Sequence, residues 1–192
     1  MRDSEALSEQ SDETLVRLTC EQGSQFFGNL VKRHSDYLFG LGMRLSCGNK
    51  PMAEDLSQQA LIKAFNYLTS FNPNHKGLGA KRSKRFRNWL TGIAVNCYSD
   101  LAKAESKYTS INSEQLSNAE ASPQRYDELN EFQAIIRPLT TEERQIVTLR
   151  FVYEFTIEEI AGMLTQKAGT IKSKLSRAIA RLRELENDET KI

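Results

Sequence analysis

Residues 156–183 read TIEEIAGMLTQKAGTIKSKLSRAIARLR. Two helical patterns stand here with a break of about four residues between them, the arrangement of a helix-turn-helix. Thr156 followed three residues later by Glu159 is a capping box and sets the start of the first helix. Ile157, Ile160, Ala161 and Leu164 give that helix one apolar stripe, with the small Ala161 permitting a close neighbour. In the second pattern Ile171, Leu175, Ala178, Leu182 and Leu185 recur at steps of four and three and line one face. Lys172, Ser173, Ser176 and Arg177 then fall on the flanks and far side. From Ile160 to Arg183 the chain has six cations and no carboxylate. A helix packed by one face and presenting cations and hydroxyls on the other suits a major groove. A solvated basic face on an ordinary helical hairpin would carry the same charge. Capping box, short turn and uniformly basic second helix together point to DNA. The pattern departs from its usual form twice. Thr165 stands where such turns often carry glycine, and Lys167 stands near the second N-cap in place of Ser or Asp.

The remainder of the chain has an ordinary globular composition. Of 192 residues, 39% are apolar and 27% charged, which excludes a disordered chain and allows one large or two small domains. No apolar run reaches the roughly 20 residues that span a bilayer, and the polar N-terminus MRDSEALSEQSDE predicts a cytoplasmic protein without membrane insertion. Cys20, Cys47 and Cys97 form no CxxC pair and signal neither a disulfide framework nor a metal site. The net charge of +1 conceals a strong segregation. Residues 76–107 carry eight Lys/Arg against two Asp/Glu, whereas residues 108–159 carry four against ten. Two basic blocks separated by an acidic stretch suggest two contacts with one polyanion.

Taken in order, residues 1–13 read as a disordered lead-in. Phe27, Val31, Leu38, Leu41 and Leu45 mark a first long helix that ends at Cys47-Gly48-Asn49-Lys50-Pro51. Ala53, Leu56, Ala60, Ala64 and Leu68 mark a second, with Leu61 and Phe65 beside the stripe and Asp55, Gln58, Gln59, Lys63 and Asn66 outward. FNPNHKGLGAKRSKR, residues 71–85, is a basic loop punctuated by Gly and Pro. Phe86, Leu90, Ile93, Cys97 and Leu101 mark a helix to Lys107, with Trp89 alongside. Residues 108–125, rich in Ser, Asn, Glu and Ala, read as a linker. A short helix from about Asp127 stops before Pro138, and Thr140 with Glu143 forms a second capping box. No β-type alternation appears. The expected fold is all-α: two small helical domains joined by a flexible linker, the second a helix-turn-helix.

His34 and His75 are the only histidines, without a matching nucleophile or ligand spacing, and no glycine-rich phosphate loop is present. No catalytic residue, metal or cofactor is expected, and nothing argues for an enzyme.

Three motifs do carry a resemblance. AEDLxQ at residues 53–58, FRxWLxxIAxN at 86–96 and GTxKSxLxRA at 169–178 resemble, in order and spacing, the extracytoplasmic-function (ECF) group of bacterial RNA polymerase sigma factors. The resemblance covers about Phe26 to Glu186. It implies a lead-in (1–25), a region 2 domain (26–107), a linker (108–126) and a region 4 helix-turn-helix domain (127–192). The first domain would bind the β′ clamp helices of core polymerase through Asp55, Leu56, Gln58 and Gln59. It would also capture the melted −10 promoter element through Lys84, Arg85, Arg87, Trp89, Asn96 and Lys103, although Trp89 fits a core aromatic equally. The second domain would meet the β flap and read −35 duplex through Lys167, Thr170, Lys172, Ser173, Ser176 and Arg177. An anti-sigma factor is a further implied partner. The chain departs from the family pattern in its longer, more basic loop from Asn74 to Arg85.

The reading is therefore a sigma factor that directs polymerase to promoters without catalysing a reaction itself. A dimeric helix-turn-helix regulator would explain residues 156–183 but not the motifs and basic block of residues 53–107. A helical scaffold would show no salt-dependent DNA affinity. Residues 108–125 lack the apolar positions that offset ordering, about 1–2 kcal/mol per residue for the backbone. Limited proteolysis of the free protein should cut there first and yield two stable helical halves. Cuts inside the helices with that stretch intact would refute the boundary.

Overall fold

The computed structural model describes the chain over residues 10–74, 85–109 and 126–189, and among these residues every regular element is helical. Lys84, most of the basic loop and most of the linker lie outside the described residues.

Helix α1 (Asp12–Gln22) starts where the Ser11 hydroxyl accepts the Thr14 amide. It turns Leu15, Val16 and Thr19 inward, so the N-terminal lead-in already holds a docked helix. Its first turn is tied down by Asp12, which accepts from Arg33 at 2.6 Å and meets His34 Nε2 at 3.0 Å. Burial works to raise the Asp12 pKa, but the His34 and Arg33 contacts outweigh it and leave the carboxyl below its usual range.

Helix α2 (Phe27–Leu45) buries Leu30, His34, Leu38, Leu41 and Leu45 along one stripe. Cys47 and Gly48, both at positive φ, end it, and the Gly48 amide returns to the Met43 carbonyl at 2.9 Å. Asn49 then caps α3 (Lys50–Asn66), with Pro51 in the first turn. Helix α3 buries Ala53, Leu56, Ala60 and Ala64, as its sequence stripe predicts. Small residues bring the two helices together closely: a Cβ on Gly42 would lie 2.8 Å from the Ala53 Cα.

Helix α4 (Arg85–Thr109) lies at the centre of the fold. Phe86, Leu90 and Cys97 of the predicted stripe are buried in the core together with Ala94, whereas Ile93 and Leu101 of that stripe are only half-buried. Thr91, Val95 and Tyr98 are buried as well, at 2% exposure or less. A single amphipathic face cannot do this. The second side is shared by α2, whose Tyr37 and Leu45 bond Thr91 and Tyr98, and by α6 (Thr141–Val147) and α7 (Ile157–Met163) of a C-terminal half that also holds α5 (Tyr126–Ile136) and α8 (Ala168–Glu189). Both predicted capping boxes form, at Thr140–Glu143 and Thr156–Glu159. Between α6 and α7 the helix widens over Thr148–Val152, where the Tyr153 amide reaches the Thr148 carbonyl five residues back.

Ile146, Leu149, Phe155, Ile160 and Ile171 of the C-terminal half join one apolar cluster with Leu38, Leu90, Val95 and Tyr98. The two halves are therefore packed on each other and would stay together after a cut between them. Helix-interior Gly→Ala normally stabilises by up to about 1 kcal/mol. At Gly42 the new methyl meets the backbone of Ala53, and overpacking of this kind costs about 1–3 kcal/mol. Gly42→Ala should lower the urea midpoint, whereas Gly28→Ala, whose Cβ meets nothing within 4 Å, should not. Equal midpoints would show that the α2–α3 crossing tolerates the methyl.

Candidate nucleic-acid interface

Helix α8 divides its cations between two tasks. Ile171 and Ala178 are fully buried, which fixes the roll of the helix. Lys174 Nζ pairs with Glu142 at 2.6 Å and also reaches Gln166 at 2.9 Å. Arg181 pairs with Glu143 at 3.0 Å. The same Glu143 closes the α6 capping box, so one carboxylate holds two helices. Burial would raise its pKa, but the Thr140 contacts and Arg181 more than offset this and lower it. Lys167, Thr170, Lys172, Ser173, Ser176 and Arg177 are all exposed. Among the described residues no ion pair within 4.0 Å holds Lys167, Lys172 or Arg177. The six residues chosen from the sequence thus share the start and outer face of one helix, aimed at solvent. Glu142 and Glu143 still lie close enough to feel Arg177.

The second surface is a cleft of about 370 Å³. Its walls include Asn72, Asn88, Trp89 and Asn96 from the N-terminal half, with Gly162 and Met163 from the C-terminal half. Trp89 is half-buried in an aromatic group, its ring centroid 5.4 Å from Phe71 and 5.6 Å from Phe86. It is both a packing residue and part of the wall. Asn96 is exposed, and its amide donates to the Gly92 carbonyl at 2.9 Å and the Met163 carbonyl at 3.4 Å. Arg85 and Arg87 are only half-exposed. Arg85 donates to the Pro73 carbonyl, and the Arg87 guanidinium stacks 5.2 Å over the Tyr37 ring. Neither cation points freely into the cleft. Lys103 is exposed further along α4. Asn72, Asn88 and Met163 escaped the sequence reading, because their meeting depends on contacts between distant segments.

On α3, Asp55 and Gln58 are exposed and Gln59 half-exposed, whereas Leu56 is fully buried. Leu56 supports this face from beneath and presents nothing to a partner. The face has an apolar member that the sequence reading missed. Ile62, one turn beyond Gln58, is 61% exposed, and Tyr67 just past the helix end is 60% exposed. Its signal was an isoleucine standing among outward polar positions.

The turn between α7 and α8 confirms the backbone oddity seen in the sequence. Thr165 adopts φ +55, and the Gln166 amide closes the turn on the Ala161 carbonyl at 2.9 Å. A left-handed β-branched residue costs roughly 1–2 kcal/mol. Thr165→Gly should therefore raise the unfolding free energy by about 1 kcal/mol, read from chemical denaturation. An unchanged or lowered value would place the strain elsewhere.

Two family models match the chain in order. Sigma-70 region 2 covers residues 30–108, and Sigma-70, region 4 covers residues 129–182. The chain is 31% identical over 160 residues to the RNA polymerase sigma-E factor of Streptomyces avermitilis, covering 82% of this chain and 83% of that one. It is 27% identical over 172 residues to the ECF RNA polymerase sigma factor SigE of Mycolicibacterium smegmatis. That match covers 81% of this chain but only 59% of the relative's length. Among solved structures it is similar to the sigma factor RpoE of Bartonella quintana, in complex with the anti-sigma factor NepR. The TM-score is 0.63 at 27% identity, over 84% of this chain and 96% of that one. Two sigma-70 regions in sequence order, on an all-helical chain that ends in an outward-facing basic helix, settle the family: the chain belongs to the extracytoplasmic-function group of sigma-70 RNA polymerase sigma factors.

Proposed function

We propose that the chain binds core RNA polymerase in the cytoplasm and directs it to a subset of promoters, without catalysing a reaction itself. Residues 26–107 form the domain that meets the β′ clamp helices and takes the −10 element. Residues 127–192 form the domain that meets the β flap and reads the −35 element. The observation that carries this reading is the pairing of two unlike surfaces on one chain. One is an outward helix face with Lys172, Ser173, Ser176 and Arg177, suited to duplex. The other is a concave site with an aromatic wall and an amide at Trp89 and Asn96, suited to an unstacked base. Asp55, Gln58 and Gln59 with the exposed Ile62 give polymerase a mixed polar and apolar face. Phe151, 58% exposed, offers an apolar contact on the C-terminal half. The Bartonella relative was solved with an anti-sigma factor, and a partner of that kind is proposed here too.

The two surfaces should separate by mutation. Arg177 can donate a bidentate pair to a guanine edge, worth about 1–3 kcal/mol. With holoenzyme at one fixed salt concentration, Arg177→Ala should weaken promoter binding even when the strands are held shut. Asn96→Ala should spare the closed complex and slow strand opening. A pre-melted −10 bubble should not restore a normal preference for the −10 sequence in the Asn96 variant. Salt must be held constant because phosphate contacts make affinity steeply salt-dependent. If both substitutions weaken duplex and bubble templates alike, the division of labour is wrong.

A further inference from the structure

Asp12 stands in a stretch to which the motifs assign no task, yet a line of contacts runs from it to the cleft wall. Its Oδ1 accepts from Arg33 at 2.6 Å, and its Oδ2 meets His34 Nε2 at 3.0 Å. Burial opposes ionisation of Asp12, but the His34 and Arg33 contacts prevail and keep it a carboxylate. A carboxylate only accepts, so the hydrogen of this contact sits on His34 Nε2. The His34 ring is 5% exposed, and its centroid lies 5.3 Å from that of Phe86. Phe86 stands 5.6 Å from Trp89 and 5.4 Å from Phe71, and Phe71 stands 5.4 Å from Trp89. Three rings thus close on one another at the cleft. Helix α1 approaches the same rings by a second route. It packs on the turn Leu68–Ser70, directly before Phe71, and its Val16 shares a groove of about 780 Å³ with Leu68 and Phe71.

A base stacks usefully on Trp89 only if the indole plane is held in place, and that requires support from behind. Tilted and edge-on rings interlock at interior packing density, so a rotation of Phe86 is passed on to Trp89. His34 is where such a rotation is set. Unlike Phe71 and Phe86, it carries a polar hydrogen, and Asp12 fixes the direction in which that hydrogen points. Without the carboxylate a buried N–H would lose its acceptor, and the imidazole would turn to find another. Phe86 occupies the space beside that ring and would have to follow.

We infer that α1 is the positioning element of the single-strand site, with Asp12 and His34 as positioning residues that act on Trp89 through Phe86. This rests on the promoter-opening function proposed above. Neither residue lines the cleft; both stand behind its aromatic wall. The N-terminal helix thereby gains a part in strand capture that is separate from duplex reading by α8.

Trp89 is the only tryptophan, so acrylamide quenching of emission from the free full-length chain reports on its surroundings. Asp12→Ala should raise that quenching and shift the emission to the red. Asp12→Asn, which keeps an acceptor oxygen for His34, should stay close to the parent. Leu139→Ala, buried in the C-terminal cluster, controls for lost stability through its urea midpoint and should leave Trp89 unmoved. In the His34→Phe background a ring still rests on Phe86 and no N–H needs an acceptor, so Asp12→Ala should have no effect on the emission. With holoenzyme, Asp12→Ala should weaken binding to a pre-melted −10 bubble about fivefold, part of one base–aromatic stack, and leave closed-duplex binding within about twofold. Asp12→Ser, too short to reach His34, replaces Asp12→Ala should the latter fail to fold, with the same expected results. The inference is overturned if Asp12→Ala changes neither quenching nor bubble binding, or if Leu139→Ala at equal loss of stability changes them as much. It is equally overturned if Asp12→Ala acts alike with His34 present or replaced. Failure of the unmodified chain to support run-off transcription with core polymerase would sink the proposed function, while the quenching arm would still decide whether α1 positions Trp89.

Discussion

Burial of α4 over a broad arc, against both halves of the chain, is the constraint on which the arrangement depends. Leu90, Ala94 and Cys97 on one side, and Thr91, Val95 and Tyr98 on the other, are all 2% exposed or less. Each large apolar side chain so buried contributes about 1.5–3 kcal/mol. Tyr98 shows how the polar atoms are accommodated: its hydroxyl donates to the Leu45 carbonyl at 2.6 Å, and burial pushes its pKa to about 12. Gln145 does the same from the other half, giving both amide hydrogens to α4 acceptors. The Ser99 hydroxyl itself donates to the Val95 carbonyl at 3.1 Å, so the glutamine joins a hydrogen bond already present within α4.

The basic face of α8 follows from a different balance. Six cations on one stretch repel one another, and two carboxylates of α6 relieve that crowding at Lys174 and Arg181. These two lie on the side of α8 nearer the fold, so their pairing fixes the helix without spending the outer face. Exposed ion pairs of this kind contribute little to stability individually. Their role here is placement: they orient α8 so that Lys172, Ser173, Ser176 and Arg177 stay together and outward.

Arg85 and Arg87 serve the architecture of the N-terminal half. Arg87 stacks on Tyr37, whose hydroxyl meets Thr91 at 2.7 Å, and Arg85 holds the Pro73 carbonyl at the entrance to the basic loop. A cation held in this way remains charged and still contributes to the field around the cleft. Direct phosphate contact would require it to leave its present partner.

Much of this was legible in the sequence. Periodicity alone placed the stripes of α3 and α8, because helical geometry puts residues three and four apart on one face whatever surrounds them. The capping boxes at Thr140–Glu143 and Thr156–Glu159 formed where the spacing set them, since a cap is a local hydrogen-bond pattern. The strained Thr165 was also visible, as a residue standing where glycine usually does. Other features were decided by tertiary structure. Helix α1 was hidden because a short apolar stripe among charged residues acquires meaning only against α2 and the Asp12 contacts. Leu56 carries the family's motif but faces the core, and a motif does not say which of its members bear load and which bear function. The pairing of Met163 with Gly92 and Asn96 joins residues nearly 70 positions apart. Contacts of that kind arise from burying two helical faces against one another, and no local pattern in the chain encodes them.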